Sequence, residues 1–304
     1  MLPSHKGSIH LFRFQGIDVW LHWSWFLVAI FQISYRAHNY SSYVWCGLEY
    51  LTLFAIVLMH EFGHSLACRS VGGRADQIVL WPLGGVAFVD PPQRPGATLW
   101  SLAAGPLVNA LLMPVLVVSL MLARSFHWQF TMPNLYQFVV TMSVINVVLL
   151  LFNMLPIYPL DCGQILRSLL WYVFGRAKSL LIAATIGMVT LVLLFLFALW
   201  TPWLRTPWLG IMAAFALIQC WSGLQQARLL ARVEAAPRHA GLACPSCHAA
   251  PPAGDFWICA RCRGGFDIFG TQGVCPQCGA GFNAARCLDC GQVNSLPAFF
   301  QNAG

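Results

Sequence analysis

Apolar stretches that contain no charged residue dominate this sequence and restrict what it can fold into. Of its 304 residues, 58% are hydrophobic and only 9% are charged, whereas a soluble domain carries about 25% charged residues. A chain this apolar has too little polar surface to cover a soluble fold. Its charge-free stretches are close to the about 20 residues that a membrane-spanning helix needs. The sequence therefore predicts an all-α polytopic membrane protein.

About six stretches fit this description. The first would be short for a span if it started at Trp20, so its start is expected as early as Ile17. Tryptophans lie near several of the proposed ends, where indole rings favour the headgroup layer. The predicted transmembrane helices are Trp20–Ser34, Tyr43–Leu66, Thr98–Leu122, Leu135–Leu155, Leu180–Trp200 and Trp208–Gln225.

The basic residues orient these helices. One side of the predicted membrane holds most of them, and cytoplasmic loops carry the excess of Lys and Arg, so both termini are predicted to be cytosolic. The residues on the cytoplasmic side are Lys6, Arg13, Arg69, Arg74, Arg94, Arg167, Arg176, Lys178, Arg228, Arg232 and Arg238. Those on the other side are Arg36, Arg124 and Arg205.

The second predicted span ends in the motif His60-Glu61-Phe62-Gly63-His64. Positions i and i+4 share one face of a helix, so both imidazoles can bind a single zinc ion. Glu61 can then act as general base toward a water at the metal. The alternative is a polar helix end that matches by accident. It is disfavoured because these polar side chains are costly beside a run as apolar as Leu51–Met59.

A catalytic zinc ion takes three protein ligands and keeps a fourth position for water. Asp161 follows a turn with two prolines, NMLPIYPLDCG, on the predicted side of His60 and His64. Glu49 would lie about 16 Å from His60 along its own helix. Asp161 is therefore the predicted third ligand. The alternative role for Asp161 is a cap of the helix that follows at Ile165–Leu170.

The loop Val71–Gly96 contains WPLGGV and DPPQRPG, which are rich in residues that interrupt regular structure. Irregular backbone at membrane depth is tolerated only where protein or a water-filled cavity satisfies its hydrogen bonds. The sequence therefore predicts an irregular loop here, on the cytoplasmic side.

Three motifs, taken in order, resemble the site-2 protease family of intramembrane metalloproteases. They are HEFGH, AGPLVN at Ala104–Asn109 and NMLPIYPLDCGQILR at Asn153–Arg167. WPLGGVA at Trp81–Ala87 is similar to the family's loop between the first two motifs. The resemblance covers roughly residues 16 to 170.

The resemblance implies one catalytic zinc ion, held by His60, His64 and Asp161, with Glu61 as catalytic base. It places the site inside the membrane, reached by water from the cytosol, in a multi-pass protein of a prokaryotic cell membrane. The implied function is that of a zinc-dependent intramembrane endopeptidase. Such an enzyme hydrolyses peptide bonds in or near the transmembrane helices of membrane-tethered proteins, in regulated intramembrane proteolysis.

The implied substrate is a single-span membrane protein in the lipid bilayer. Asn153 is expected to help position it, and an unwound substrate strand is expected to lie against Gly84–Ala87, with contacts to Gly84 and Gly85. Gly105, Pro106 and Asn109 resemble a helix-packing element, because small residues let helices approach closely. These roles follow from the matched motifs.

One position departs from the family, which usually has a glycine where this chain has Cys162. We expect Cys162 to be a small buried apolar residue. The alternative, a fourth protein ligand, would close the metal to water and argue against catalysis.

Four CxxC pairs follow a predicted metalloprotease domain at residues 1–230 and a linker at 231–241. Two CxxC pairs supply the four thiolates of a tetrahedral zinc site. A module of this size buries too little core to fold without metal. Disulfides are the alternative, and a cytosolic location disfavours them. Residues 242–304 are therefore predicted to form a cytosolic double zinc ribbon with two structural zinc ions. Its ligands are Cys244, Cys247, Cys259, Cys262, Cys275, Cys278, Cys287 and Cys290.

The simplest pairing of these cysteines joins consecutive CxxC pairs. Cys244 to Cys262 would then hold one ion and Cys275 to Cys290 the other, while spacing leaves an interleaved pairing open. A protein partner is the expected ligand of the ribbon. Nucleic acid is not expected, because arginines and aspartates are balanced and a phosphate backbone rewards excess positive charge. These residues are Arg261, Arg263 and Arg286, against Asp255, Asp267 and Asp289.

Two other classes of protein compete with the protease. A non-catalytic membrane adaptor would use the ribbon to bind partners and keep the metal site as a relic. A metal-ion transporter would need polar or acidic residues along several spans, and these are scarce. The intact HExxH motif together with Asp161 favours the enzyme.

Overall fold

The computed structural model describes residues 7–81, 84–201 and 207–301, and these residues are mostly helical. Lys6 and Arg205, which were used to predict the orientation, lie outside them. The helices are α1 Ser24–Arg36, α2 Tyr43–Ser70, α3 Pro95–Ser125, α4 Trp128–Thr131, α5 Pro133–Asn153, α6 Asp161–Phe174, α7 Arg176–Trp200, α8 Pro207–Ala235 and α9 Leu296–Gln301. The strands are β1 Ser8–Phe14, β2 Ile17–His22, β3 Arg74–Trp81, β4 Gly84–Asp90, β5 Trp257–Ile258, β6 Gly265–Phe266, β7 Ala284–Arg286 and β8 Val293–Ser295.

Four helices in the described part of the chain are long and apolar enough to cross a membrane: α2, α3, α5 and α7. The shortest, α5, has 21 residues. It therefore extends over about 30 Å, which is the thickness of the hydrocarbon core. The four helices coincide with four of the predicted spans, and the prediction of a helical fold is confirmed.

The first predicted span starts at the wrong residue. Ile17–His22 forms strand β2, and helix α1 has only 13 residues. At about 1.5 Å per residue α1 extends over about 20 Å, which is short of a full crossing. The last predicted span, Trp208–Gln225, coincides with helix α8, whose first side chains lie outside the described residues.

The segment Val71–Gly96, where an irregular loop was expected, contains strands β3 and β4 of a four-stranded sheet. The strand order of the sheet is β1-β2-β3-β4, with β2 parallel to β3 and the other neighbours antiparallel. In β3 the consecutive residues Ile78, Val79 and Leu80 are all buried, so apolar packing on both faces favours a strand. Pro82 lies outside the described residues. The other glycines and prolines that suggested a loop flank the β3–β4 hairpin or begin strand β4.

The sheet packs on helix α2 through buried aliphatic side chains. Ile17 and Val19 of β2, with Ile78 and Leu80 of β3, form one apolar cluster with Val57 of α2. This packing fixes the sheet beside the helix that carries the HExxH motif.

Glu49 lies away from that motif, in a polar cluster of its own. Its side chain is 1% exposed, and it accepts hydrogen bonds from Arg36 Nε at 3.0 Å and from the Tyr40 hydroxyl at 2.7 Å. Arg36 also donates to Thr141 Oγ1 at 2.8 Å. These bonds connect α1, α2 and α5, and they satisfy a carboxylate that would otherwise be buried without a partner.

The chain divides into two compact units. The first comprises Met1–Tyr172 with Ala183–Cys220, and the second comprises Val173–Ile182 with Trp221–Gly304. Helix α8 continues to Ala235, past the predicted end of the membrane domain at residue 230. The predicted domain boundaries stay predictions.

The second unit contains the cysteine-rich module, which has two short hairpins, β5–β6 and β7–β8. Phe266, Phe269 and Phe299 are buried in its small core. Asp267 accepts hydrogen bonds from the backbone N–H groups of Gly254 and Gly270. Burial alone would raise the pKa of Asp267, but these donors and His239 lower it below its ordinary value.

Candidate metal centres

His60 and His64 lie one turn apart on helix α2 and are 4% and 7% exposed. Because they occupy positions i and i+4, their rings project from the same face. The two Nε2 atoms are 3.2 Å apart.

Asp161, the first residue of helix α6, brings its carboxylate to both imidazoles. Its Oδ2 is 3.1 Å from His60 Nε2, and its Oδ1 is 3.4 Å from His64 Nε2. Oδ2 is buried and makes no hydrogen bond to any described residue. Asp161 therefore faces the histidines, which is the orientation expected of a ligand rather than of a helix cap.

These three side chains suit zinc. Zinc binds imidazole nitrogen at about 2.0–2.1 Å, so two ligands in a tetrahedron lie about 3.3 Å apart. The three separations at this site, 3.1, 3.2 and 3.4 Å, are close to that value. Among the described residues the cluster comprises His60, His64 and Asp161. A zinc ion held by these three side chains would have one further position for water.

Neighbouring groups orient both rings so that Nε2 faces the cluster. His64 Nδ1 is 2.9 Å from the backbone carbonyl of Ser101, and His60 Nδ1 is 2.6 Å from Asn109 Oδ1. An oxygen of either kind accepts a hydrogen bond, so Nδ1 carries the proton and Nε2 keeps its lone pair. The sequence reasoning missed both partners, since it treated Asn109 as a packing residue.

Gly105 leaves the space into which the imidazoles project. A Cβ atom at this position would lie 2.3 Å from His64 Nε2 and 2.9 Å from His60 Nε2. The close helix contact expected of Gly105 is made instead by Gly63, where a Cβ would lie 2.8 Å from the carbonyl oxygen of Ala104. The glycine of AGPLVN therefore leaves open the space in which the two Nε2 atoms meet.

Glu61 is 6% exposed and lies against strand β4. Its Oε2 accepts a hydrogen bond from the backbone N–H of Ala87 at 3.0 Å. A Cβ at Gly85 would lie 2.4 Å from Glu61 Cδ. Glu61 is outside the group of converging ligand atoms, so its carboxylate is available as a base.

The two remaining predicted substrate contacts, Gly84 and Asn153, lie at the ends of their elements. Gly84 begins β4 and pairs with Trp81 across the hairpin. Asn153 is the last residue of α5 and is partly exposed. Their roles in substrate binding stay predictions.

Cys162 is partly buried and lies outside the cluster that His60, His64 and Asp161 form. The close backbone approach in this turn occurs at Gly163, where a Cβ would lie 2.6 Å from the carbonyl carbon of Ile157. The turn therefore requires a glycine one position after Cys162.

The eight ribbon cysteines form two clusters, and the consecutive pairing is wrong. The first CxxC pair faces the fourth, with Sγ–Sγ distances of 3.8 Å for Cys244–Cys290 and for Cys247–Cys287. The second pair faces the third, at 3.5 Å for Cys259–Cys278 and 3.7 Å for Cys262–Cys275. One site is therefore nested inside the other along the chain.

These distances suit metal sites. A Zn–S bond of about 2.3 Å places two tetrahedral thiolates about 3.8 Å apart, whereas a disulfide requires about 2.05 Å. All eight cysteines are free thiols. The clusters therefore have the geometry of two four-thiolate zinc sites.

Known proteins resemble the membrane part. A family model described as "Peptidase family M50" matches residues 49–132 and 126–197, which include His60 and Asp161. The zinc metalloprotease MJ0392 of Methanocaldococcus jannaschii is 35% identical over 192 residues, which are 63% of this chain and 54% of that protein. The putative zinc metalloprotease sll0528 of Synechocystis is 29% identical over 60% of this chain and 49% of that protein. This chain thus spans about half the length of the curated relatives it matches.

A solved structure supports the same relation. The site-2 protease from Methanocaldococcus jannaschii matches with a TM-score of 0.50 and 28% identity, over 71% of this chain and 95% of that one. The resemblance predicted from the three motifs is confirmed. With its four long apolar helices, the chain is a membrane protein.

Proposed function

Because the chain belongs to peptidase family M50, the site-2 proteases, we propose that it is a zinc-dependent endopeptidase of membrane-embedded substrates. It cuts peptide bonds in or near the transmembrane helices of membrane-tethered proteins. The observation that carries the proposal is the convergence of His60, His64 and Asp161 with Glu61 alongside. Three ligands and an adjacent carboxylate are what metal-assisted hydrolysis requires.

A zinc ion held by the three side chains would supply a Lewis acid for the substrate carbonyl and for a water molecule. Glu61 takes a proton from that water as its oxygen attacks the carbonyl carbon. The same carboxyl group then gives the proton to the nitrogen of the departing amine as the C–N bond breaks. The surroundings of Glu61 support this role. The backbone N–H of Ala87 donates a hydrogen bond to its carboxylate, and the absence of a side chain at Gly85 leaves room for that carboxylate.

The substrate lies next to β4 as an extended strand. A peptide bond in a helix is protected by its own hydrogen bonds, so the substrate must unwind before it is cut. In the described sheet β4 is an edge strand, and an edge strand offers backbone groups to which an added strand can bind. Because β4 also contacts Glu61, a strand added there lies close to the base.

The ribbon binds two structural zinc ions and recognises a protein partner. Each cluster supplies four thiolates, which fill a tetrahedral site and leave no position for catalytic water. Residues 242–304 lie outside the ranges that the family model matches. A protein partner that distinguishes this chain from other members of the family would therefore bind the ribbon.

Cleavage of a membrane-tethered single-span reporter tests the proposal. Wild type and Glu61→Gln are co-expressed with the reporter, and released fragments and bound zinc are measured. Glu61→Gln should keep its zinc and release no fragment, because the amide cannot accept the proton. Asp76→Asn is the matched control, since this carboxylate is 76% exposed and its loss should leave cleavage unchanged.

Two results would overturn the proposal. One is continued cleavage by zinc-loaded Glu61→Gln. The other is a wild-type protein that releases no fragment from any of a panel of tethered proteins, as the adaptor alternative predicts. If the wild type does cleave, proteomics of the fragments that it releases and Glu61→Gln does not would identify natural substrates.

A further inference from the structure

We infer that Asn146 is a positioning residue that fixes the tautomer of His60 by orienting the side chain of Asn109. The inference rests on the proposed metal site. It adds to that site a residue that contacts none of the three proposed zinc ligands. Asn146 lies on α5 and Asn109 on α3, and both are completely buried. Two amides buried inside membrane-spanning helices are costly unless they have a function.

The two amides are joined by a pair of hydrogen bonds. Asn109 Nδ2 donates to Asn146 Oδ1 at 2.8 Å, and Asn146 Nδ2 donates to the backbone carbonyl of Asn109 at 3.0 Å. Asn109 Oδ1 is then directed at His60 Nδ1, at 2.6 Å.

The donor and acceptor roles in this series of hydrogen bonds follow from one group whose role is certain. The backbone carbonyl of Asn109 can only accept, so Asn146 must turn its NH₂ group toward it. Asn146 Oδ1 consequently faces Asn109 and requires the NH₂ group of Asn109 as donor. That leaves Asn109 Oδ1 for His60, and an oxygen there requires a proton on Nδ1. Reversing either amide would oppose two donors or two acceptors.

The consequence for the metal is a lone pair on His60 Nε2. A zinc ligand must present an unprotonated nitrogen, and the hydrogen bond at the other ring nitrogen decides which nitrogen that is. His64 obtains the same result directly, because its Nδ1 faces the backbone carbonyl of Ser101. Only His60 depends on side chains that a substitution can change.

The competing explanation is that Asn109 and Asn146 only fasten α3 to α5, since amides also join helices in membranes. The two explanations differ in what a carboxylate at position 109 does. Both oxygens of a carboxylate accept, so Asn109→Asp satisfies His60 Nδ1–H whichever way the group turns. Orientation by Asn146 is then unnecessary, whereas fastening is still lost.

The test measures zinc retained against a graded chelator. Asn146→Leu removes both hydrogen bonds, frees the amide of Asn109 to turn and should weaken zinc at the histidine site by about 10- to 100-fold, as loss of an outer partner does. Asn109→Asp/Asn146→Leu should restore most of this affinity. His64→Gln gives the contribution of the ribbon sites, which is subtracted.

Ser143→Ala is the matched control on α5. In the described part of the chain its hydroxyl donates to the Val139 carbonyl of the same helix, so its loss should leave zinc affinity unchanged. Wild-type affinity in Asn146→Leu would overturn the inference. So would a double variant that binds zinc as weakly as Asn146→Leu, because that result is what fastening alone predicts.

A second measurement needs no variant at position 146. Wild-type protein labelled with ¹⁵N-histidine is reconstituted in lipid, stripped of zinc at the histidine site and studied by nitrogen NMR. The signals of His60 are assigned by comparison with His60→Gln, and they should show a proton on Nδ1. Asp161 can accept a hydrogen bond from Nε2 when zinc is absent, so the decisive signal is that of Nδ1. A His60 Nδ1 that carries no proton would overturn the inference. Neither readout uses cleavage, so a wild type that binds zinc but cuts nothing would refute the proposed function and leave this inference standing.

Discussion

Two glycines lie beside the proposed functional residues, one at the metal ligands and one at the catalytic base. Gly105 faces the metal-binding nitrogens, whereas Gly85 faces the carboxylate of Glu61. A methyl group at one position should therefore remove metal, and at the other it should remove catalysis alone.

Gly105→Ala should lose the zinc bound by the histidine site. The added Cβ would lie 2.3 Å from His64 Nε2, so the ring must leave the position from which it binds. Alanine favours a helix more than glycine does, and the fold should therefore persist. Zinc content and helical circular dichroism check this prediction. A folded Gly105→Ala protein with wild-type zinc affinity would contradict it.

Gly85→Ala should keep zinc and lose most cleavage. The Cβ would lie 2.3 Å from Glu61 Cγ, which forces the carboxylate away from the water it activates, while the metal ligands are untouched. Cleavage of the tethered reporter and zinc content are measured together. Gly47→Ala is the control, since its added Cβ would have no described atom within 4 Å beyond the adjacent residues and backbone of its own helix. Undiminished cleavage by Gly85→Ala would show that Glu61 has room to move.

The sequence predicted residues of the candidate site where the chemistry is local. His60, Glu61 and His64 lie in one motif on one helix face, and helical periodicity alone brings the imidazoles together. Asn109 and Asn146 are 37 residues apart, and no periodicity connects positions on different helices. The available signal was the cost of an amide in the middle of an apolar span, which applies to Asn146.

At the level of the elements, glycine and proline misled the prediction for residues 71–96. The glycines and prolines of this segment that the structure describes lie at the ends of the β3–β4 hairpin. Its buried strand β3 is apolar on both faces, because Ile78 and Val79 point to opposite sides and both are buried. The length of α1 was unpredictable for a related reason. Whether Ile17–His22 is helix or strand depends on pairing with β3, a segment more than 50 residues away.

The cluster around Glu49 connects three helices and predicts a stability effect. Glu49→Leu leaves the Arg36 guanidinium without its carboxylate, and breaking a buried pair from one side costs about 3–5 kcal/mol. The loss should be near the lower limit because the Arg36 side chain is 20% exposed. Thermal unfolding in detergent measures it.

The double variant Arg36→Leu/Glu49→Leu is the control for that prediction. It removes both charges, so it should be less destabilised than Glu49→Leu alone. Equal stability of Glu49→Leu and wild type would show that the ion pair contributes nothing to holding α1, α2 and α5 together.

At the scale of the whole molecule, the cysteine pairing decides how the ribbon folds. The four CxxC pairs have the same internal spacing, so the sequence could not distinguish consecutive from nested sites. In the structure the outer pairs share one cluster and the inner pairs share the other. The last residues of the module must therefore fold back to the first before the outer site exists.

Double serine variants distinguish the two pairings by zinc count. In the nested arrangement Cys244 and Cys287 belong to one site, so Cys244→Ser/Cys287→Ser should lose one zinc ion. Cys244→Ser/Cys259→Ser removes one ligand from each site and should lose both. Consecutive pairing predicts the opposite result for each variant. The pairing is therefore decided by the number of zinc ions per chain, measured after mild chelation that spares intact four-thiolate sites. Loss of two ions from Cys244→Ser/Cys287→Ser would refute the nested arrangement.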